Sequence, residues 1–388
     1  MAADVTDTPQ SEVPASVREA ASAYVDTLSI GYLLYGVGAV TAFLAAALAL
    51  SDAEAALHSS LMASGLLAAG ISGDRIDARI GSTRANVAAY VLLGLGSAAM
   101  ATAAAYPVTL AGAAAIGLSV GLLLAHVNRT LTRGGGSLAQ IRLSRSGLTA
   151  MFGSMSVPVV IGLGENSSLG WQLAFVVAGG LIVVGLWGTR WRQDVAAASF
   201  SLAGRLNRSY WLAWWLLVLG VAVEFAFVFW ASTLVERQLE VSLADATLVL
   251  TSFYIGMAAT RVGLSVPAIG GRDPITLVRF GLVAALVGAL LAWVADDIAL
   301  AAVGIFLGGV GASFQYPLIV AVALALVPTL QDKAAARVIL ASGVAILFSP
   351  FVLGVAADAA GVSTAWLLIP AIAVVALVLS VPVDRARR

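Results

Sequence analysis

Polar residues interrupt this chain only at intervals. From Tyr24 to Val383, runs of about 20 apolar residues alternate with short polar breaks, and each run can cross roughly 30 Å of hydrocarbon as a helix. The runs are continuous and rich in Ala, Leu, Gly and Val. Membrane strands would instead need apolar residues at every second position. The pattern therefore predicts an all-α membrane protein. Twelve transmembrane helices are expected, at 24–50, 54–73, 85–105, 107–131, 139–163, 170–190, 210–234, 243–266, 275–294, 299–327, 333–356 and 363–383. Ser51-Asp52-Ala53 turns the first hairpin, and Gly134-Gly135-Gly136, Gly270-Gly271 and Asp296-Asp297 mark further turns.

The breaks are asymmetric in charge. With the N-terminus placed inside, twenty of the twenty-one Lys and Arg residues fall at the inner face or inner helix ends, and Arg237 alone falls outside. Basic residues accumulate on the cytoplasmic side. The expectation is a multi-pass protein of the cell (inner) membrane with both termini cytoplasmic. Acids do not follow the rule, and the outer breaks hold Asp52, Glu54, Glu165, Glu236, Glu240, Asp245, Asp296, Asp297 and Asp358. The basic loops are short, and topology accounts for them without lipid-headgroup recognition. Residues 1–21 carry Asp4, Asp7, Glu12 and Glu19 against Arg18 alone. That reads as a disordered cytoplasmic tail, since a signal peptide has a basic start before an apolar stretch.

Composition narrows the chemistry. The chain is 60% hydrophobic and 11% charged, with a mean hydropathy of +0.97. A soluble domain carries about a quarter charged residues. The net charge of zero gives no sign of a nucleic-acid partner. There is no cysteine, so disulfides, thiolate chemistry and Cys-ligated metals are excluded. His58 and His126 lie far apart without metal-ligand spacing, and Gly134-Gly135-Gly136 is not followed by the Gly-Lys-Ser/Thr of a phosphate loop. No cofactor or metal is expected, and neither an intramembrane enzyme nor an ATP-driven pump is supported. The chain is expected to act as a monomer.

The longest inner loop, 191–209, separates a six-helix unit at 22–190 from a second at 210–388. The units echo each other. Gly70, three residues, then Asp74-Arg75 closes the second span, and Gly256, three residues, then Thr260-Arg261 closes the eighth. Ser146-Gly147 with Phe152 in the fifth span matches Ser342-Gly343 with Phe348 in the eleventh, at one spacing. Parallel six-helix repeats about an axis normal to the membrane resemble the major facilitator superfamily. The inner loop Gly70-Ile71-Ser72-Gly73-Asp74-Arg75-Ile76-Asp77-Ala78-Arg79 resembles that superfamily's signature at Gly70, Asp74, Arg75 and Arg79, while Asp77 stands where it has a second Gly. The resemblance implies two pseudo-symmetric six-helix bundles and an inner gate in which Asp74 pairs across the halves.

Further stretches resemble the superfamily's fucose-permease-like sugar-transporter branch. They are Val223-Glu224-Phe225 and Phe227 to Trp230 in the seventh span, Phe253-Tyr254 through Gly256-Met257 to Thr260-Arg261 in the eighth, and Gly311 to Pro317 in the tenth. Thr260 replaces a Gly of that branch, and its first-helix carboxylate has no midspan counterpart, because Asp26 lies only two residues into the expected span. Drug–proton antiporters of the same superfamily carry a Gly-Pro pair in the fifth span, which Gly153 and Pro158 do not form.

Glu224 is the residue most expected to carry chemistry. It lies near the bilayer centre, where a carboxylate costs a few kcal/mol and must face a cavity or partner. It is suited to binding a proton or a substrate hydroxyl. Tyr32, Tyr35, Tyr254, Gln315 and Tyr316 sit near midspan and suit a polyhydroxylated or aromatic solute. Trp230, three-quarters across its helix, is placed to cap the cavity from outside. Arg145 is within reach of the cavity, and Asp26 is expected to pair with Arg145 or Arg142, structurally or in the inner gate. Arg129 and Arg261 read as interfacial, and Arg261 stands with Gly70, Asp74, Arg75, Arg79, Asp26 and Arg142 among the candidates for the inner gate. Trp171, Trp211, Trp214 and Trp293 read as anchors at the membrane interface. The expected function is proton-coupled secondary transport of a small polar, sugar-like solute by alternating access; proton-driven efflux of amphipathic drugs or metabolites and a non-transporting membrane sensor or assembly protein are the alternatives.

Overall fold

The computed structural model describes residues 15–133, 135–165, 167–192, 204–264 and 266–387. The first half holds α1 (Val17–Leu48), α2 (Asp52–Ile80), α3 (Ser82–Thr102), α4 (Tyr106–Thr132), α5 (Gly136–Glu165) and α6 (Leu173–Gly188). The second holds α7 (Arg208–Leu239), α8 (Leu243–Leu264), the short α9 (Pro267–Gly270), α10 (Pro274–Val294), α11 (Ile298–Ala325), α12 (Gln331–Ala360), α13 (Val362–Trp366) and α14 (Leu368–Arg387). Twelve helical stretches are long and apolar enough to cross a membrane, with α13 and α14 sharing the last. An even number of crossings puts α1's start and α14's finish at one end, here called the terminal end.

Local chemistry sets several boundaries. Ser16 and Glu19 form a capping box, so α1 begins at Val17 and not at 24. Ser51 and Glu54 do the same for α2. Asn207, Asp273 and Asp297 cap α7, α10 and α11 through their side chains. The expected tail at 1–21 falls outside the described residues up to position 14, and 17–21 belong to α1. The expected linker at 191–209 falls outside them over 193–203, as does Gly134.

The two halves repeat one packing scheme. In the first, the second and fourth spans meet where a Cβ on Gly117 would lie 1.8 Å from the Met62 carbonyl oxygen. In the second, the corresponding spans α8 and α11 meet where a Cβ on Gly309 would lie 1.9 Å from that of Phe253. The third and fourth spans are joined by Gly96 and Gly112 in one half and by Gly288 and Gly304 in the other. Lipid gives helices no hydrophobic reason to associate, so close backbone approach over small residues supplies the contact.

Candidate functional site

The halves touch along α2–α12, α5–α8 and α1–α7. Glu224 lies on the last of these seams, on a helix buried from Gly220 to Val235, and is 5% exposed. Tyr35 of α1 donates its hydroxyl to Glu224 Oε1 at 2.7 Å, across the boundary between halves. Its ring stacks on Phe225, with centroids 5.5 Å apart, and meets Tyr254 of α8 edge-on at 5.8 Å. The Tyr254 hydroxyl is buried with no hydrogen-bond partner among the described residues. Tyr316 of α11 also feels the charge of Glu224, yet is 41% exposed, so it borders open space beside the carboxyl.

Arg261 brings a cation to this cluster. Its charge acts on both Glu224 and Tyr35. A Cβ on Gly147 of α5 would lie 2.9 Å from Arg261 Nη1, so the guanidinium rests where the opposite half presents bare backbone. This corrects the interfacial reading of Arg261, which is turned between the halves. A carboxyl that can gain a proton, a neighbouring cation and several phenols form a polar site in an apolar bundle. Such groups can hold a hydroxylated solute and change charge while doing so.

Other sequence candidates lie elsewhere. The Tyr32 hydroxyl donates to the Ala174 carbonyl at 2.9 Å, inside the first half. Gln315 is fully buried against Gly220 and Gly281, and its Nε2 donates to the Gly311 carbonyl at 3.1 Å. Arg145 is exposed on α5, and Arg142 donates to the Ala15 carbonyl at 2.8 Å. Asp26 pairs with neither. Fully buried, it accepts from Arg192 and from the Tyr90 hydroxyl, all within the first half. Arg192 follows the last turn after α6 and folds back into the bundle, a path its loop position in the sequence does not reveal.

Asp74, expected to pair across the halves, forms its ion pair within the first half. Asp74 is 69% exposed and 3.6 Å from Arg129 of α4, which also binds Asp77. Arg75 and Arg79 are exposed, and nothing crowds Gly70. Likewise Arg133–Glu19, Arg279–Asp384 and Arg387–Asp273 each join residues of a single half at the terminal end.

The far end is tied across the halves. Asp358 of α12 accepts the backbone N–H groups of Asp52 and Ala53 at 2.8 and 3.0 Å, at the N-terminus of α2. Arg237 of α7 grips the Asp52 carboxylate with two hydrogen bonds of 2.6 and 2.7 Å. The anion at a helix N-terminus and the bidentate fork are both favourable geometries. Beneath them a cavity of about 210 Å³ is lined by Thr41, Phe229, Trp230 and Thr233. Trp230 donates from Nε1 to the Pro350 carbonyl at 3.1 Å. The solitary outer position of Arg237 was the sequence signal for this lock, but its partner Asp52 comes from the distant α2.

No family model matches the sequence, and no curated protein does. Solved structures do match its fold. A D-xylose-proton symporter superposes with a TM-score of 0.77 at 16% identity, covering 94% of this chain and 97% of that one. The nucleoside transporter NupG gives 0.74 at 12%, covering 95% and 98%. A bacterial homologue of the human lysosomal transporter Spinster, inward-facing and unoccupied, gives 0.72 at 13%, covering 96% and 98%. The chain has the twelve-helix major facilitator fold, as the repeated loops and basic asymmetry implied.

Proposed function

We propose that this chain is a secondary transporter that moves a small polar, sugar-like solute by alternating access, coupled to protons through Glu224. The observation that carries the reading is the Tyr35–Glu224 hydrogen bond between the halves. Rocking of one half against the other must stretch or break a bond at that seam. A proton on Glu224 weakens its attraction to Arg261 and gives the carboxyl a donor of its own. Proton binding and rocking thus act on one set of contacts, which is what coupling requires. The phenols of Tyr35, Tyr254 and Tyr316 offer aromatic faces and hydroxyls, which favours a hydroxylated cargo over a purely apolar one. Two of the neighbouring folds are named for a sugar and for nucleosides.

Both termini belong in the cytoplasm, on the strength of the basic residues that crowd that end. The far-end lock is then extracellular and ties the halves together on that side. In liposomes, Glu224→Gln imitates the protonated acid permanently. Proton-driven uphill uptake of the solute should vanish while solute counterflow survives, because exchange needs no net proton movement. Retained uphill uptake ends the coupling reading. Parallel loss of both activities assigns Glu224 to solute binding alone.

A further inference from the structure

The seam between α7 and α12 carries a second concave site, at the terminal end and on the outer surface of the bundle. A cavity of about 380 Å³ is lined by Gly204, Arg205, Leu206, Trp211, Lys333 and Arg337. Arg205, Arg337 and Trp211 are exposed there. The Lys333 ammonium donates to the Gly204 carbonyl at 2.6 Å, which holds the chain before α7 against the start of α12. Further along the same two helices lies a groove of about 340 Å³, walled by apolar atoms of Trp215, Val218, Val344, Phe348 and Val352. Trp215, Phe348 and Val352 are each about half exposed. Trp211 and Trp215 are one turn apart on α7, and Arg337 and Val344 are about 10 Å apart along α12 at a rise of 1.5 Å per residue. The basic cavity and the apolar groove thus lie along the same two helices, about 10 Å apart on α12.

The seam is built, not loose. Tyr210 donates to the Ala334 carbonyl and Trp214 to that of Arg337, both at 2.8 Å, and Ser349 donates to that of Ala222 at 2.8 Å. These bonds fix the spacing of the two helices whose outer faces form the slot. Indole rings at this depth mark the headgroup zone of a bilayer.

The geometry points to a binding site for an anionic phospholipid, with the phosphodiester held by Arg205, Lys333 and Arg337 and an acyl chain lying in the α7–α12 groove. Charge complementarity selects the headgroup, and the apolar groove on the same two helices, within an acyl chain's reach, selects a lipid over a free anion. The site is separate from the Glu224 cluster and stands whatever the chain transports. It also adds a role to basic residues that topology alone explained.

The test uses the full chain, delipidated in detergent. Palmitoyl-oleoyl phosphatidylglycerol should remain bound in native mass spectrometry and raise the melting temperature, and the matching phosphatidylcholine should do neither. Arg205→Gln/Lys333→Gln/Arg337→Gln should bind phosphatidylglycerol at least about tenfold more weakly, as loss of several interfacial cations implies. Arg337→Gln alone, whose backbone carbonyl still serves Trp214, should show a smaller loss if the triple variant does not fold. Dihexanoyl phosphatidylglycerol should bind more weakly than the long-chain lipid. Equal stabilisation by phosphatidylcholine, by the short-chain lipid or by inorganic phosphate would overturn the site, as would unchanged binding in the Arg337 variant.

Discussion

Tyr35 and Glu224 are held 2.7 Å apart by a hydrogen bond that spans the two halves of the bundle. Each residue comes from the first helix of its own half. The bond therefore joins pseudo-equivalent elements near the centre of the molecule. Removing either partner leaves the other, largely enclosed and near Arg261, without its hydrogen bond.

Tyr35→Phe keeps the ring and its stacking on Phe225 but removes the donor. Hydrogen bonds to charged groups are worth about 1.5–3 kcal/mol, so solute transport should fall roughly tenfold or more. Tyr35→Phe combined with Glu224→Gln should cost little more than the worse single change, because Gln still accepts but lacks the charge, and both changes weaken one interaction. Fully additive losses would show that the two residues act separately.

Arg237→Gln should loosen the far end. Arg237 is 47% exposed, which limits the pair to about 1 kcal/mol and the population shift to several-fold. The chain has no cysteine, so a single Thr233→Cys reports directly on the cavity below the lock. Labelling from the far side should speed up when Arg237→Gln is added. An unchanged rate would show that the apolar contacts, such as Gly38 on Val228, close that end without the ion pair.

How much of this was legible follows from what each signal measures. Span length and basic asymmetry depend only on position along the chain, so all twelve crossings could be read. Glu224 stood out because a carboxyl at midspan has few explanations. Depth alone misplaced Arg261, since the face of α8 it occupies depends on α5 offering Gly147. Arg192 looked like a loop residue, and only the return of the chain brings it to Asp26. Tyr90 gave no signal, as a tyrosine in an apolar run is ordinary until its hydroxyl is located. Gln315 shared the polar character of Tyr316, but one step along a helix turned it into the core.

Asp74→Asn should slow transport while leaving solute affinity within a few-fold. Asp74 is solvated, and its ion pair with Arg129 lies within its own half. A carboxylate that meets the second half only when the terminal end closes would bias one state and not the site. Stopped-flow uptake beside equilibrium solute binding separates the two. Unchanged uptake rates would remove Asp74 from the gate.

Gly117→Ala should destabilise the first half, because its Cβ would lie 1.8 Å from a backbone oxygen of α2. Overpacking of this kind costs about 1–3 kcal/mol or more. Gly180→Ala has nothing within 4 Å and should melt like the parent protein. Equal melting of the two variants would show that α2 and α4 separate without penalty.

Asp26 and Arg192 supply the sharpest stability contrast. Both side chains are almost wholly buried, at 0% and 1% exposure, and Tyr90 donates to the same carboxylate. Asp26→Asn leaves the guanidinium buried without its counter-charge, a change that costs about 3–5 kcal/mol in comparable sites. Arg192→Met strands the carboxylate by the same argument. Asp26→Leu with Arg192→Met removes both charges, and replacing a buried pair by apolar residues is often neutral or stabilising. The double variant should therefore melt above either single variant, with solute counterflow retained if the pair is structural. Should the double variant melt below both single ones, the two residues do not compensate each other. Should it melt normally but lose uphill uptake, Asp26 belongs to the transport cycle.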